Sequence, residues 1–218
     1  MMVGGNEPVP LWRAQEIMGR NFVPLFQTDA AAPGFRVNRT FLEQIMTPKG
    51  RLISESVLRA SCKTHVLILV PQGSILQLRE EVTRRYVAPL FKYQTWYEQE
   101  GFACEPGRAG WHLIRKNLLG TDIYPKWNVQ RSLLPKDEET PTTRVMTYTL
   151  VRFYLATGER LAPDAFARCS SYDSDGHRGK VGYFGRDGIS FAEGLAEGSS
   201  IEPTCGGRIG LAAAKKQL

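Results

Sequence analysis

The longest unbroken apolar run in the chain is VLILVP, residues 66 to 71. With Thr64 and His65 ahead of it, the segment is aliphatic and β-branched with no polar alternation, the pattern of a strand buried on both faces. The PQG that follows breaks the run. Ser74 then opens SILQLREEVTRR, with Gln77 three residues on as the second half of a capping box, and Ile75, Leu78 and Val82 recur at helical spacing. The expected unit is strand, turn and helix. Upstream, PLWRAQEIMG has a proline at its start, a glycine at its end, and Leu11, Ala14 and Met18 on one face, which predicts a short amphipathic helix. QTDAAAPGFRVN reads as loop. RTFLEQIM and SESVLRAS read as two further short helices, capped by Thr40 and Ser54.

Downstream, GWHLIRK predicts a strand, and PKWNVQRSLL a short helix with Pro125 in its first turn. PKDEETPTT, residues 135–143, reads as an exposed linker. Residues 144–161, RVMTYTLVRFYLATGERL, carry two opposed signals. Their β-branched and aromatic content favours a strand. Their length, the Thr140-Pro141 start and Gly158 past the end favour a helix, which is the reading taken. Then ARCSSYD, GKVGYF and ISFAEG, separated by SDGHR and GRDG, predict an antiparallel meander over 165–192. The tail GLAAAKKQL reads as a frayed helical turn or a loose end. The expectation is one α+β domain over residues 1–218: a mixed sheet, short helices on one face, and a C-terminal antiparallel meander.

Composition narrows the class. A chain of 218 residues, 42% hydrophobic and 23% charged, buries a core without disulfides or a structural metal. Its 21 glycines and 13 prolines argue for many turns and against a pure helical bundle. Lysine and arginine exceed aspartate and glutamate by six, but the surplus is spread along the chain with no basic block. It is compatible with an acidic partner such as nucleic acid and specifies none. Cys62, Cys104, Cys169 and Cys205 form neither a C-x-x-C pair nor a secreted-scaffold spacing. The opening residues lack the basic and apolar regions of a signal peptide, and no run approaches a membrane span. The expected setting is cytoplasmic, without membrane association.

The runs AQEIMGRNF, THVLILVPQGSILQLREEV, GWHLIRK and TGERLAPDAFARCSSYDSDGHRGKVGYFGRDGISF together resemble a family of uncharacterised bacterial hypothetical proteins. The resemblance covers most of the chain and implies a bacterial, soluble, single-domain protein. It carries no activity, cofactor or site residue with it.

Two stretches hold the candidate chemistry. The first is SSYDSDGHRGKVGYFGRDG, residues 170–188, dense in aspartate, glycine and basic groups. As a calcium loop it fails: with Gly176 at the sixth position, Asp173 and Asp175 take the third and fifth, but Ser171 and Gly182 stand where the first and last ligands belong. Asp-Gly is instead the strongest short hairpin signal. Zinc would require distant Cys and His residues to be gathered, so no metal and no cofactor is expected, with Mg²⁺ on Asp173 and Asp175 alone as the one alternative. Cys169 with His177, beside Arg168 and Arg178, is the one nucleophile pair the hairpin would bring close, with Asp173 and Asp175 nearby. This is the site of an alternative, hydrolase-like enzyme.

The second stretch is residues 84–127, which hold 9 of the 22 aromatics among arginines and lysines. Rings that stack bases, interleaved with cations that follow phosphates, are the means of a single-strand groove. The expected binding residues are Trp96, Tyr97, Trp111, His112, Arg115, Lys116 and Trp127. The leading expectation is a cytosolic binding or accessory module acting on nucleic acid. A protein–protein adaptor using the same aromatics is the other alternative.

Overall fold

A computed structural model describes residues 9–24, 53–121, 126–192 and 208–216. The protein is an α+β fold with two mixed sheets and one long helix between them. The N-terminal layer is α1 (Leu11–Met18) and α2 (Glu55–Ser61), the latter capped by Ser54 as expected. Sheet I holds β1 (Phe22–Val23), β2 (His65–Val70), β3 (Gly110–Arg115), β4 (Glu138–Glu139) and β9 (Ala214–Lys215), in the order β1-β2-β3-β9-β4. Sheet II holds β5 (Ala165–Tyr172), β6 (Arg178–Gly185), β7 (Gly188–Ala192) and β8 (Arg208–Leu211), in the order β7-β6-β5-β8. The helix α3 (Ile75–Arg85), the four-residue α4 (Gly101–Cys104) and the short α5 (Trp127–Ser132) lie in the connections.

The strand–turn–helix unit forms as its pattern predicts. Every residue of β2 is buried. Leu67 joins Val9, Ala14, Met18, Leu58 and Leu113 beneath α1 and α2, while Val66, Ile68 and Val70 join the main core on the other face. Ser74 Oγ accepts from the Gln77 amide at 3.2 Å and Gln77 Oε1 accepts from the Ser74 amide at 2.8 Å, the two halves of the capping box.

The ambiguous segment 144–161 is helical: α6 runs Thr143–Thr157, is capped by Thr142 and stops at Gly158, whose φ of +74° suits a residue without a side chain. Its β-branched and aromatic content reflects burial rather than strand geometry. Residues 143 to 153 are all buried, because α6 packs on β1, β2 and β3 on one side and on β5 and β6 on the other. The hydroxyls that a buried threonine must satisfy bond back along the helix: Thr147 to the Thr143 carbonyl at 2.7 Å, Thr149 to that of Val145 at 2.8 Å.

Three expectations need correction. The helices are not confined to one face of one sheet, since α6 is shared by two sheets. The segment 135–143 is not an exposed linker: it contributes β4, and Glu138 is buried against sheet I. The alanine-rich tail is not a helical turn. Residues 208–211 form β8, Ala212 and Ala213 are buried, and Ala214 begins β9, so one extended stretch passes from sheet II to sheet I. Here packing overrides the helix preference of alanine. The predicted meander is present as β5, β6 and β7, in consecutive antiparallel pairing. The predicted helix RTFLEQIM lies outside the described residues, as does Pro125. Among the described residues, no helix is long and apolar enough to cross a membrane.

Candidate functional site

Most of the rings and cations expected to form a groove are part of the framework. Tyr97 is fully buried; its ring lies 4.2 Å from that of Phe191 and its hydroxyl accepts from Arg79 at 3.0 Å. Trp96 packs edge-on to Tyr97 and Phe102 at the margin of the core. Trp111 stacks on Phe22, ring centroids 5.4 Å apart, under α1 and α2. Lys116 reaches Asn21 Oδ1 at 3.4 Å and lies 5.5 Å over the Phe153 ring. His112 lies near Arg144 of α6, and burial, with that cation next, pushes its imidazole down to about 4. Arg144 itself donates to the main-chain carbonyls of Pro71, Gly73 and Arg108, tying α6 to the loop that opens α3.

Arg115 belongs to a closed ionic cluster. Its guanidinium donates twice to Glu138, Nε to Oε2 at 2.9 Å and Nη2 to Oε1 at 2.6 Å. Lys215 lies 3.1 Å from Glu138 Oε1 and 2.6 Å from Asp137 Oδ2. His65 Nε2 completes the set at 3.1 Å from Glu138 Oε1. Burial alone would raise the Glu138 carboxyl, but the hydrogen bonds from Arg115 and Lys215 outweigh it and hold the group below the ordinary carboxylate range. An ionised Glu138 only accepts, so His65 donates from Nε2 and takes the Thr64 hydroxyl at Nδ1, 2.8 Å away. Every charge in this cluster faces an opposite one, and its centre is sealed from solvent. It fastens β4 and β9 to β2 and β3.

The nucleophile pair does not form an activated thiol. Cys169 is fully buried on the α6 side of β5, and burial pushes its thiol up to about 12, against the small opposing effect of Thr143. Activation requires the reverse shift. His177 sits in the β5–β6 turn, its amide donating to Asp173 Oδ1 at 2.7 Å. The Asp175 amide donates to the same oxygen at 3.1 Å, so Asp173 organises a turn. The hairpin is as expected, but its turn is not the two-residue Asp-Gly type. Asp173 and His177 pair across Ser174, Asp175 and Gly176, and only Gly176 has a positive φ, +79°. Among the described residues, no three His, Cys, Asp or Glu side chains are grouped as metal ligands.

One expected binding residue and the hairpin meet at the surface. Arg178, first residue of β6, lays its guanidinium 3.7 Å over the ring of Trp127, first residue of α5, and 4.5 Å from the ring of Tyr172, last residue of β5. The backbone explains the placement. Pairing runs Phe166 with Gly182 and Arg168 with Lys180, then shifts through a bulge to pair Tyr172 with Arg178. Bulges re-aim side chains and release main-chain groups from the ladder. Around this one, Ser170 is bonded from outside the hairpin ladder: its amide donates to the Pro141 carbonyl at 2.9 Å, and its carbonyl accepts from Arg178 Nη1 at 3.1 Å. The turn beyond is clamped as well, since Glu100 accepts from the Ser174 amide at 2.7 Å and from its hydroxyl at 2.9 Å. Tyr172 nevertheless keeps 53% of its surface exposed.

The result is a Trp–Arg–Tyr stack on a stiff hairpin, built from residues of both candidate stretches. Tyr172 was absent from the expected site residues, and Arg178 entered only as a cation beside the Cys169–His177 pair. Their signal was available: each lies one position outside the Asp173–His177 pair, so hairpin pairing alone sets them opposite. No protein-family model, curated protein or solved structure matches the chain.

Proposed function

We propose that the chain is a bacterial, cytoplasmic binding module that engages nucleic acid through the Trp127–Arg178–Tyr172 stack. One observation carries the reading: a guanidinium held between two rings, one of them half-exposed, presents π-surface and positive charge together. Rings and cations so combined hold nucleic acid without sequence readout. The net charge of +6 acts in the same direction by attracting the phosphate backbone over a distance. The free thiols Cys62, Cys104 and Cys169 suit a reducing compartment.

The test is fluorescence anisotropy of labelled DNA and RNA, titrated with protein at low and near-physiological salt. Micromolar or tighter binding with a steep salt slope is expected, weakened in Arg178→Ala. Absence of binding at low salt, or an unaffected Arg178→Ala variant, removes the reading.

A second reading, the protein–protein adaptor, is favoured by the loop after α3, where Val87 and Tyr93 stand almost fully exposed although Leu90 is anchored in the core. It predicts a co-purifying partner or a persistent oligomer that is insensitive to salt and lost in Tyr93→Ala.

A further inference from the structure

Resting on the nucleic-acid reading, we infer that the stack is a seat for an unpaired base, so that the protein selects single-stranded over duplex nucleic acid. The argument starts from what the site offers. Its distinctive surface is the face of an aromatic ring. A duplex turns its base edges to the grooves and its phosphates outward, and its base faces are consumed by stacking on one another. A duplex could therefore meet the charge of this site but not its rings. An unstacked base has a face free, and stacking on an aromatic ring is tolerant of which base it is.

Geometry makes Tyr172 the seat. Arg178 lies against the ring at 4.5 Å, and the ring still leaves about half of the residue's surface to solvent, 53%. Trp127 backs the guanidinium at 3.7 Å, so the layers run Trp127, Arg178, Tyr172, with the incoming base as the fourth. Lys126, exposed and next in sequence to Trp127, adds a cation beside the first layer of the stack. The seat is also stiff. The bulge, the Asp173 turn and the Glu100 clamp on Ser174 hold the hairpin on both sides of Tyr172 before any ligand arrives. A prepared ring loses little side-chain entropy when a base is laid on it.

The test compares labelled oligo-dT and oligo-U of twelve nucleotides with a self-complementary hairpin of equal charge, at one salt concentration. Single strands are expected to bind about ten-fold or more tightly than the duplex. Tyr172→Ala should erase most of that preference, weakening single-strand binding about ten-fold while leaving the salt slope unchanged, because no phosphate contact is lost. Tyr172→Phe, which keeps the ring, should retain it. Tyr172 is at the surface, and matching thermal melts of the three proteins establish that the variants fold. Equal or tighter duplex binding, or an unaltered Tyr172→Ala, overturns the inference while leaving the nucleic-acid reading in place. No salt-dependent binding of either form overturns both.

Discussion

Glu138 and Arg178 each centre a polar cluster, one on each sheet, and the clusters handle charge in opposite ways. Around Glu138, two cations and a histidine converge on one sealed carboxylate, and the product is a fastening between strands. Around Arg178, the guanidinium is held by two ring faces and a main-chain carbonyl, and the cluster opens to solvent at Tyr172. The sequence contains arginine at a strand terminus in both cases, Arg115 at the end of β3 and Arg178 at the start of β6. What separates them is the neighbour that the fold supplies. An arginine facing a buried carboxylate has its charge and donors committed inside. One stacked on rings keeps planar surface beside it for a ligand.

This contrast can be broken at several points. Removing the centre of the sealed cluster should have the largest effect. Glu138→Ala leaves Arg115 and His65 without their carboxylate and Lys215 with Asp137 alone, and breaking a buried pair in this way costs about 3–5 kcal/mol. Urea denaturation should register that loss, and a variant as stable as the wild type would show that the cluster is not a fastening.

Acid should act next. The His112 imidazole sits at about 4 in the fold against an ordinary 6.5, so the unfolded chain binds the proton more readily between those values. Stability contributed by neutral His112 is complete above pH 6.5 and is lost as pH falls toward 4, by about 3 kcal/mol in all. His65, also lowered by burial, acts in the same direction. Glu138, held below its ordinary 4.5, adds its own loss once pH falls below that value, where the unfolded chain takes up the proton first. Thermal melts across pH 4 to 7 should therefore slope downward on the acid side, and His112→Phe should flatten that slope.

At the open cluster the effects on stability should be small. Arg178→Ala removes two cation–ring contacts near the surface, about 1 kcal/mol, although the same change should weaken nucleic-acid binding. A stability loss as large as that of Glu138→Ala would make the stack a structural clip and erase the contrast. The smallest change is expected of Glu100→Gln, which keeps the geometry of the clamp on Ser174 but removes its charge. It should cost under about 1 kcal/mol, read most directly as faster amide exchange at Ser174.

How far the sequence could be read follows from how local each signal is. β2 and α3 were legible because the apolar run, the break and the capping box all lie within twenty-odd consecutive residues. α6 was legible by its ends, Gly158 above all, while its interior pointed both ways because burial on two sides removes the polar stripe that marks an amphipathic helix. Glu138 defeated a reading by composition: PKDEETPTT looks solvated, and nothing local discloses that Arg115 and Lys215 await its carboxylate from strands far away in sequence. Of the site, Trp127 was identified by type. Its partners Tyr172 and Arg178 are set opposite each other by the hairpin turn, but nothing local to Trp127 discloses that its ring meets that hairpin.

The extended stretch from β8 to β9 bears on how the molecule is assembled in time. Arg208 pairs with Ala165, and Ala214 pairs with both Glu139 and Ile114, partners synthesised long before it. Contacts of such separation are slow to close, since chain entropy is lost before they return anything. On a translating ribosome, α6 and the β5–β7 meander would emerge while sheet I still lacked the strand between β3 and β4. Until residues 208–216 follow, that gap leaves two strand edges open, and such edges invite pairing with other chains.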